Sequence, residues 1–73
     1  TSAALFVNQT GSGLVIDFQN ASSSVFKIIS GGNVGINTTG PDRKLDILST
    51  SSPQLRLTHT DGSKYVDFQA SST

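Results

Sequence analysis

Few residues of this chain could carry out chemistry, and their spacing does not favour a reaction centre. His59 is the only histidine and there is no cysteine, so a His/Cys zinc site is excluded. Asp17 and Asp67 could supply the carboxylate pair of a glycoside hydrolase, which needs two carboxyl groups about 5–10 Å apart. Nothing in the sequence fixes that separation. The two aspartates stand 50 residues apart at equivalent positions, each before a phenylalanine, which favours a scaffolding role through a backbone or inter-chain hydrogen bond. We therefore expect no catalytic residue, no metal site and no bound cofactor.

The remaining candidates for chemistry are a glycine-rich stretch, the serines and two aromatic residues. Residues 31–35, GGNVG, superficially resemble a phosphate-binding loop but lack its G-x-G-x-x-G spacing and a following Lys-Ser/Thr. The many serines include no G-x-S-x-G element of a hydrolase. Tyr65 and Phe6 face outward by strand parity and could stack on sugars, although in an oligomer such rings more often pack between chains. We do not expect an enzyme. The glycines of residues 31–35 are better explained by a bulge or by a close approach of one chain to another.

The elements that hold these residues are short strands. Apolar residues alternate with polar ones in four stretches of the first half, which is the pattern of half-buried strands. A hairpin is predicted from residues 4–8 and 14–18, with residues 9–13 as its turn. A third strand is predicted over residues 25–29. Residues 20–24 between them break the pattern.

Residues 31–48, GGNVGINTTGPDRKLDIL, form a segment that we call the clasp. Val34 and Ile36 predict one strand, and Leu45 and Ile47 predict another. Between them Gly40 permits a positive φ and Pro41 fixes φ near −65°, which is typical of a defined turn.

The sequence pattern of the first residues recurs after the clasp. Residues 5–22, LFVNQTGSGLVIDFQNAS, and 55–72, LRLTHTDGSKYVDFQASS, are identical at six of eighteen positions without a gap. In the second copy the turn is Asp61-Gly62, a strong hairpin signal. The 73-residue chain is therefore one segment of about one and a half repeats of 50 residues, with residues 25–48 as the connector. Repeats of this length favour an elongated array, and we expect a piece of a longer protein.

Composition indicates that the chain needs a partner. Only 34% of its residues are hydrophobic, and a domain below about 70–80 residues usually requires disulfides, metal or oligomerisation. Without cysteine or a metal site, oligomerisation remains. A formal net charge of zero gives no electrostatic reason to bind nucleic acid, and no apolar run is long enough for membrane insertion. The predicted inward side chains are Leu5, Val7, Ile16, Phe18, Phe26, Ile28, Val34, Ile36, Leu45, Ile47, Leu55, Leu57, Val66 and Phe68.

The clasp resembles an element of known fibrous proteins. Gly32-Asn33-Val34-Gly35-Ile36, Thr38, Pro41 and Lys44-Leu45-Asp46-Ile47 are similar to the GNVGIGT…P…KLDV element of bacteriophage tail fibres and virion spikes, and of bacterial surface proteins of similar build. Asn37 departs from the motif, where glycine is common, but asparagine also tolerates a left-handed conformation.

This resemblance implies an all-β fold of short strands and hairpins in an elongated, intertwined homotrimer of the β-prism or triple β-helix type. It implies a structural shaft in a virion tail or fibre, or otherwise at a cell surface, which spaces and rigidifies a distal host-attachment tip. Its partners would be two further copies and the neighbouring fibre segments. The alternative is a glycan- or receptor-binding segment of a phage or bacterial adhesin that contacts host surface glycans itself.

Overall fold

The computed structural model describes residues 2–72, which form six short strands in two sheets. The strands are β1 (Ile16–Asn20), β2 (Ser23–Ile28), β3 (Val34–Ile36), β4 (Leu45–Ile47), β5 (Leu55–Thr60) and β6 (Lys64–Phe68). One sheet has four strands in the order β1-β2-β3-β4, and the other is the β5-β6 hairpin. Over these residues there is no helix, and none that could span a membrane. The predicted all-β class is confirmed.

The predicted hairpin between residues 4–8 and 14–18 is wrong. Residues 4–10 form no strand, and the side chains of Leu5 and Phe6 are each 79% exposed. The Gln9 side chain occupies the loop instead: its Nε2 donates to Leu14 O at 3.3 Å, and its Oε1 accepts from Gly11 N at 2.9 Å. The side-chain amide therefore takes a carbonyl that a backbone ladder would need.

β1, the strand after this loop, pairs with β2, the next strand along the chain. Residues 21 and 22 form a two-residue loop in which Ala21 and Ser22 have φ of 51° and 67°. Positive φ at both central positions is the type I′ geometry that matches the twist of a hairpin. Asn-Gly is the preferred pair there, so the Ala-Ser sequence gave no turn signal. The predicted break at residues 20–24 is thus a tight turn.

The two predicted strands of the clasp are confirmed as β3 and β4, and they run parallel. Only eight residues connect them, although a parallel crossover usually needs a dozen or more. The short connection folds across β3 at Gly35, where an added Cβ would lie 2.9 Å from Thr38 O and 3.3 Å from Pro41 Cγ. The close approach at Gly35 is therefore made by the chain's own loop, where the sequence suggested a bulge or another chain.

Side-chain hydrogen bonds fix this connection. Asn33 Nδ2 donates to Pro41 O at 3.2 Å, and Asn37 Nδ2 donates to Leu48 O at 2.9 Å. Asn37 has a φ of 64°, the left-handed conformation that asparagine tolerates at this departure from the motif. Gly40 permits a positive φ but does not adopt one, whereas Gly32 has a φ of 92°.

The predicted hairpin of the second copy is confirmed. β5 and β6 are antiparallel, and Ser63 N donates to Thr60 O at 3.0 Å across the turn. Gly62 has φ of 77° while Asp61 is not left-handed, which is the pattern of a type II turn rather than type I′. The register between the strands skips His59, which forms a bulge.

The predicted inward set does not make a core within one chain. Among residues 2–72 no hydrophobic side chain is buried. The buried residues there are Gly35 and Pro41, where the clasp folds on itself. Each sheet is a single layer, and the chain extends over 42 × 35 × 25 Å.

Candidate functional site: the apolar face of the four-stranded sheet

One face of the four-stranded sheet is made entirely of apolar residues. Directly opposed residues of neighbouring strands lie on the same face, and the next residue along each strand points to the other. The registers therefore define two rows across the sheet. The first row is Ile16, Ile28, Val34 and Leu45, and the second is Phe18, Phe26, Ile36 and Ile47. We call these eight residues the apolar face.

Nothing in the described chain covers the apolar face. Phe18, Ile36 and Leu45 are exposed, and the other five side chains are half-buried. Phe18 and Phe26 contact each other with ring centroids 5.9 Å apart and planes inclined by 34°. A contiguous apolar surface of this kind marks an interaction site.

The opposite face of the same sheet is polar. Asp17, Lys27, Gly35 and Asp46 form its central row. The Asp17 carboxylate accepts hydrogen bonds from Ser24 Oγ at 2.6 Å and from Gln19 Nε2 at 3.0 Å. These two bonds, chiefly that from Ser24, hold the pKa of Asp17 below its usual value. The sheet thus has one face suited to water and one suited to burial.

The β5-β6 hairpin repeats this division on a smaller scale. Leu55 opposes Phe68 and Leu57 opposes Val66, which gives four apolar residues on one face. On the other face Arg56 and Asp67 form a two-point ion pair, with Nε–Oδ1 at 2.7 Å and Nη2–Oδ2 at 3.0 Å. Their hydrogen bonding lowers the pKa of Asp67 and raises that of Arg56.

Tyr65 lies beside this ion pair. The Arg56 guanidinium carbon is 3.7 Å from the centre of the Tyr65 ring, a cation–π contact. One face of the ring is therefore already occupied. Tyr65 offers at most its other face to a sugar.

A groove of about 730 Å³ lies between the end of β4 and the β5-β6 hairpin. Its lining combines apolar side chains such as Leu55 and Phe68 with serine, threonine and glutamine. Gln54 spans it: Nε2 donates to Ser49 O at 3.0 Å and to Ala70 O at 2.9 Å, and Oε1 accepts from Ala70 N at 2.9 Å. This glutamine joins the linker between the sheets to the segment after β6.

The structure does not bring the candidate chemical residues together. Asp17 and Asp67 lie in different sheets, each bonded to side chains of its own strand pair. The sequence suggested backbone or inter-chain bonds for these aspartates, and their observed partners are side chains of the same chain. His59 is exposed, with Nδ1 2.9 Å from Thr60 Oγ1. No group of three potential metal ligands occurs within residues 2–72.

Sequence reasoning missed the residues that fix local geometry, namely Gln9, Ser24, Gln54 and Arg56. Arg56 could have been found, because centring the hairpin on Asp61-Gly62 places it opposite or near Asp67. Gln9 and Gln54 bond to backbone groups of loops whose course the sequence does not reveal. Ser24 lies in β2 and donates to the Asp17 carboxylate, and the pairing of β1 with β2 that brings them together was not predicted.

Comparisons of the chain with family models, with curated proteins and with solved structures found no match.

Proposed function

We propose that this chain is a structural shaft segment of a trimeric virion tail fibre or spike, which spaces and rigidifies a distal host-attachment tip. The observation that carries the proposal is the apolar face: eight apolar side chains on one side of a single-layer sheet, with no covering layer in the described chain.

Burial of this face requires other molecules. Full burial of a side chain such as leucine, isoleucine or phenylalanine contributes about 1.5–3 kcal/mol. In one chain none of the eight residues is fully buried. Turning the apolar faces of several chains toward a common axis would pool them into one core, while the polar faces with Asp17 and Lys27 stay in water.

The number of copies rests on the clasp motif. The apolar face supports an oligomer, and the resemblance of residues 32–47 to virion fibre elements supports three chains. The repeat of 50 residues supports an array along the axis, in which neighbouring fibre segments are the further partners. In this arrangement the protein belongs to the virion, or otherwise to an extracellular surface.

The alternative of a glycan-binding segment has weaker support. It relied on the outward-facing rings of Tyr65 and Phe6. The guanidinium of Arg56 occupies one face of the Tyr65 ring, and Phe6 lies in a segment without a strand partner. A sugar site needs converging polar groups beside an open ring. Tyr65 has at most one open face and Phe6 lies outside the strands, so we favour the shaft.

A charge placed on the apolar face tests the proposal. Ile36→Asp should abolish assembly, because each copy would bury an unpaired carboxylate in the shared core. Ile36 is 37% exposed in one chain, so the change adds little strain to the chain itself. Val25→Asp is the matched control: its side chain is 43% exposed and it lies outside both rows.

The measurement is the molar mass in solution by sedimentation equilibrium. We expect the unmodified chain and Val25→Asp to sediment as trimers, and Ile36→Asp as a monomer or an unfolded chain. A trimer that tolerates Ile36→Asp would show that the face is not the interface. A folded monomer of the unmodified chain would overturn the proposed function.

A further inference from the structure

β1 and β6 occupy equivalent positions of the repeat but pair with different neighbours. Residues 16–18 of β1 correspond to residues 66–68 of β6, and both end in Asp-Phe. β1 pairs with β2, the strand after it, whereas β6 pairs with β5, the strand before it. Two copies of one sequence pattern therefore pair in opposite directions along the chain.

Backbone hydrogen bonds show which edge of β1 is occupied. Ile28 O accepts from Val15 N at 2.9 Å, so Ile28 directs its backbone groups toward β1. Ile29, the next residue, donates from its N to Asn33 O at 3.1 Å on the other side, as expected for successive residues of a strand. Ile16 lies directly opposite Ile28 and therefore directs its own backbone groups toward β2.

β6 uses the same edge for a different partner. The carbonyl of Phe68 accepts from Gln54 N at 3.2 Å, on the side of β5. Val66 lies two residues earlier and faces the same way, and it is the counterpart of Ile16. The pairing of β6 with β5 and that of β1 with β2 thus occupy equivalent edges. β1 can pair with β2 or with residues 5–8, the counterpart of β5, but not with both.

The residue available to bond the repeated aspartate differs between the copies. In the second copy Arg56 lies opposite Asp67 and forms the two-point ion pair with it. Its counterpart in the first copy is Phe6, which has no donor to offer Asp17 and is 79% exposed. Asp17 instead accepts from Ser24 of β2 at 2.6 Å. Each aspartate is thus bonded to the strand that supplies a donor.

The turn residues differ in the same direction. Gly62 has a φ of 77° and follows Asp61 in the turn between β5 and β6. In the first copy Gly11 stands in place of the aspartate and Ser12 in place of the glycine. A residue with a Cβ disfavours positive φ, so Ser12 disfavours this turn. The Gln9 side chain closes a different loop there.

We propose that positions 6, 11 and 12 select the strand with which β1 pairs. Phe6 and Gly11-Ser12 leave β1 to β2, which joins β1 to the two strands of the clasp in one sheet. The arginine and the Asp-Gly turn of the second copy close β6 on β5 as a separate hairpin. In a repeat array this selection sets whether a hairpin strand is continuous with the clasp that follows it. The inference concerns pairing within one chain and does not require the trimer.

Availability of a partner is the alternative explanation. β6 has no full counterpart of β2 in this chain, since that strand would begin at residue 73. If availability alone decides, β1 keeps its pairing with β2 whatever residues stand at positions 6, 11 and 12. Exchanging those residues in the 73-residue chain separates the two explanations.

The α-proton of Asp17 reports both pairings in one nuclear magnetic resonance experiment. Asp17 lies opposite Lys27 in the structure, and the register of the second copy would place it opposite position 6. Both are non-hydrogen-bonded pairs, whose Cα atoms are about 4.5 Å apart, so the opposed α-protons give a strong Overhauser contact. The test variant combines Phe6→Arg, Gly11→Asp and Ser12→Gly. Its matched control keeps the two turn changes but carries Phe6→Glu, which places an acid opposite Asp17.

We expect the unmodified chain to show the contact of Asp17 with Lys27. In the test variant the ratio of the position 6 contact to the Lys27 contact should exceed that of the control by about fivefold or more, because an opposite-charge pair replaces a like-charge pair across the strands. A test variant that keeps only the Lys27 contact would overturn the inference in favour of availability. Equal ratios in test and control would overturn selection by position 6.

Two further results would also overturn the inference. One is a test variant with neither contact, since β1 would then have lost β2 without gaining residues 5–8. The other is a position 6 contact that joins labelled to unlabelled chains in a mixed sample, since the pairing would then lie between chains. Sedimentation of the same samples reports the number of chains separately. A monomeric unmodified chain with the Lys27 contact would overturn the proposed shaft and leave this inference standing.

Discussion

At the scale of single residues, hydrogen bonds from a few side chains fix the local geometry of the strands and loops. Asp17 and Asp67 occupy equivalent positions of the repeat, yet one is held by Ser24 and the other by Arg56. The sequence predicted their scaffolding role from this equivalence. It could not give their partners, because Ser24 belongs to the strand after Asp17 whereas Arg56 belongs to the strand before Asp67.

The Arg56–Asp67 pair predicts acid sensitivity of the β5-β6 hairpin. The pKa of Asp67 is lowered in the folded chain, so its contribution to stability is complete above the ordinary value of 3.8 and is lost as pH falls through the lower folded value. We expect a thermal midpoint that changes little from pH 7 to about pH 5 and decreases below about pH 4. Circular dichroism melts at each pH give the midpoint.

Asp67→Asn should lower the midpoint at neutral pH and flatten part of its decrease in acid. Asp61→Asn is the control, since it changes an acid of the same hairpin and leaves the Arg56–Asp67 pair intact. An acid profile of Asp67→Asn with the same shape as that of the unmodified chain would contradict a contribution from the pair.

Gly35 is the residue on which the clasp depends. A methyl group at this position would meet Thr38 O at 2.9 Å and Thr38 Cγ2 at 3.0 Å, so the connection must move. We expect Gly35→Ala to destabilise the fold by about 1–3 kcal/mol, as overpacking generally does. Urea unfolding at a fixed chain concentration measures the change.

Gly31→Ala is the matched control for Gly35→Ala. No atom lies within 4 Å of its added Cβ, and its φ is not left-handed. We expect it to be neutral or to stabilise slightly, because alanine restricts the unfolded chain. Equal effects of the two substitutions would show that the contact with Thr38 is not what requires glycine.

At the scale of the elements, local signals decided which strands could be predicted. β5 and β6 were predictable from alternation around Asp61-Gly62, and β3 and β4 from alternation alone. The parallel pairing of β3 with β4 was not, because it depends on how an eight-residue connection crosses Gly35. Glycine-rich residues 11–13 favoured a hairpin that the structure does not form, since glycine permits a turn without requiring one.

The apolar face was partly visible in the sequence. All eight of its residues belong to the predicted inward set, because alternation assigns each strand an apolar side. Alternation does not give the registers that align these sides into two rows. Nor does it reveal that no second layer covers them; only the low hydrophobic content, with neither cysteine nor a metal site, indicated that a partner was needed.

The β1-β2 turn carries strain that can be relieved. Ala21 and Ser22 both adopt left-handed φ, which costs a residue with a Cβ roughly 1–2 kcal/mol. Ser22→Gly should therefore raise stability by about 1 kcal/mol. Ser23→Gly makes the same change one residue later, inside β2, and should lower stability by about 0.5–1 kcal/mol. Thermal unfolding of the two variants should shift in opposite directions; shifts of the same sign would contradict the type I′ turn.

At the scale of the whole molecule, two thin sheets are connected by residues 48–54, and within residues 2–72 they have no buried hydrophobic interior. Each sheet has one apolar and one polar face. Backbone pairing can hold such sheets together, but it does not remove their apolar surface from water. The proposed trimer supplies the missing interior.

The molar mass of the purified 73-residue chain at equilibrium tests the proposed assembly most directly. Sedimentation equilibrium over a range of concentrations, with circular dichroism on the same sample, reports mass and folding together. We expect a folded species of three times the 7.6 kDa chain mass. A folded β-sheet species of 7.6 kDa would contradict the proposal, because the apolar face would then remain exposed to water in a stable protein.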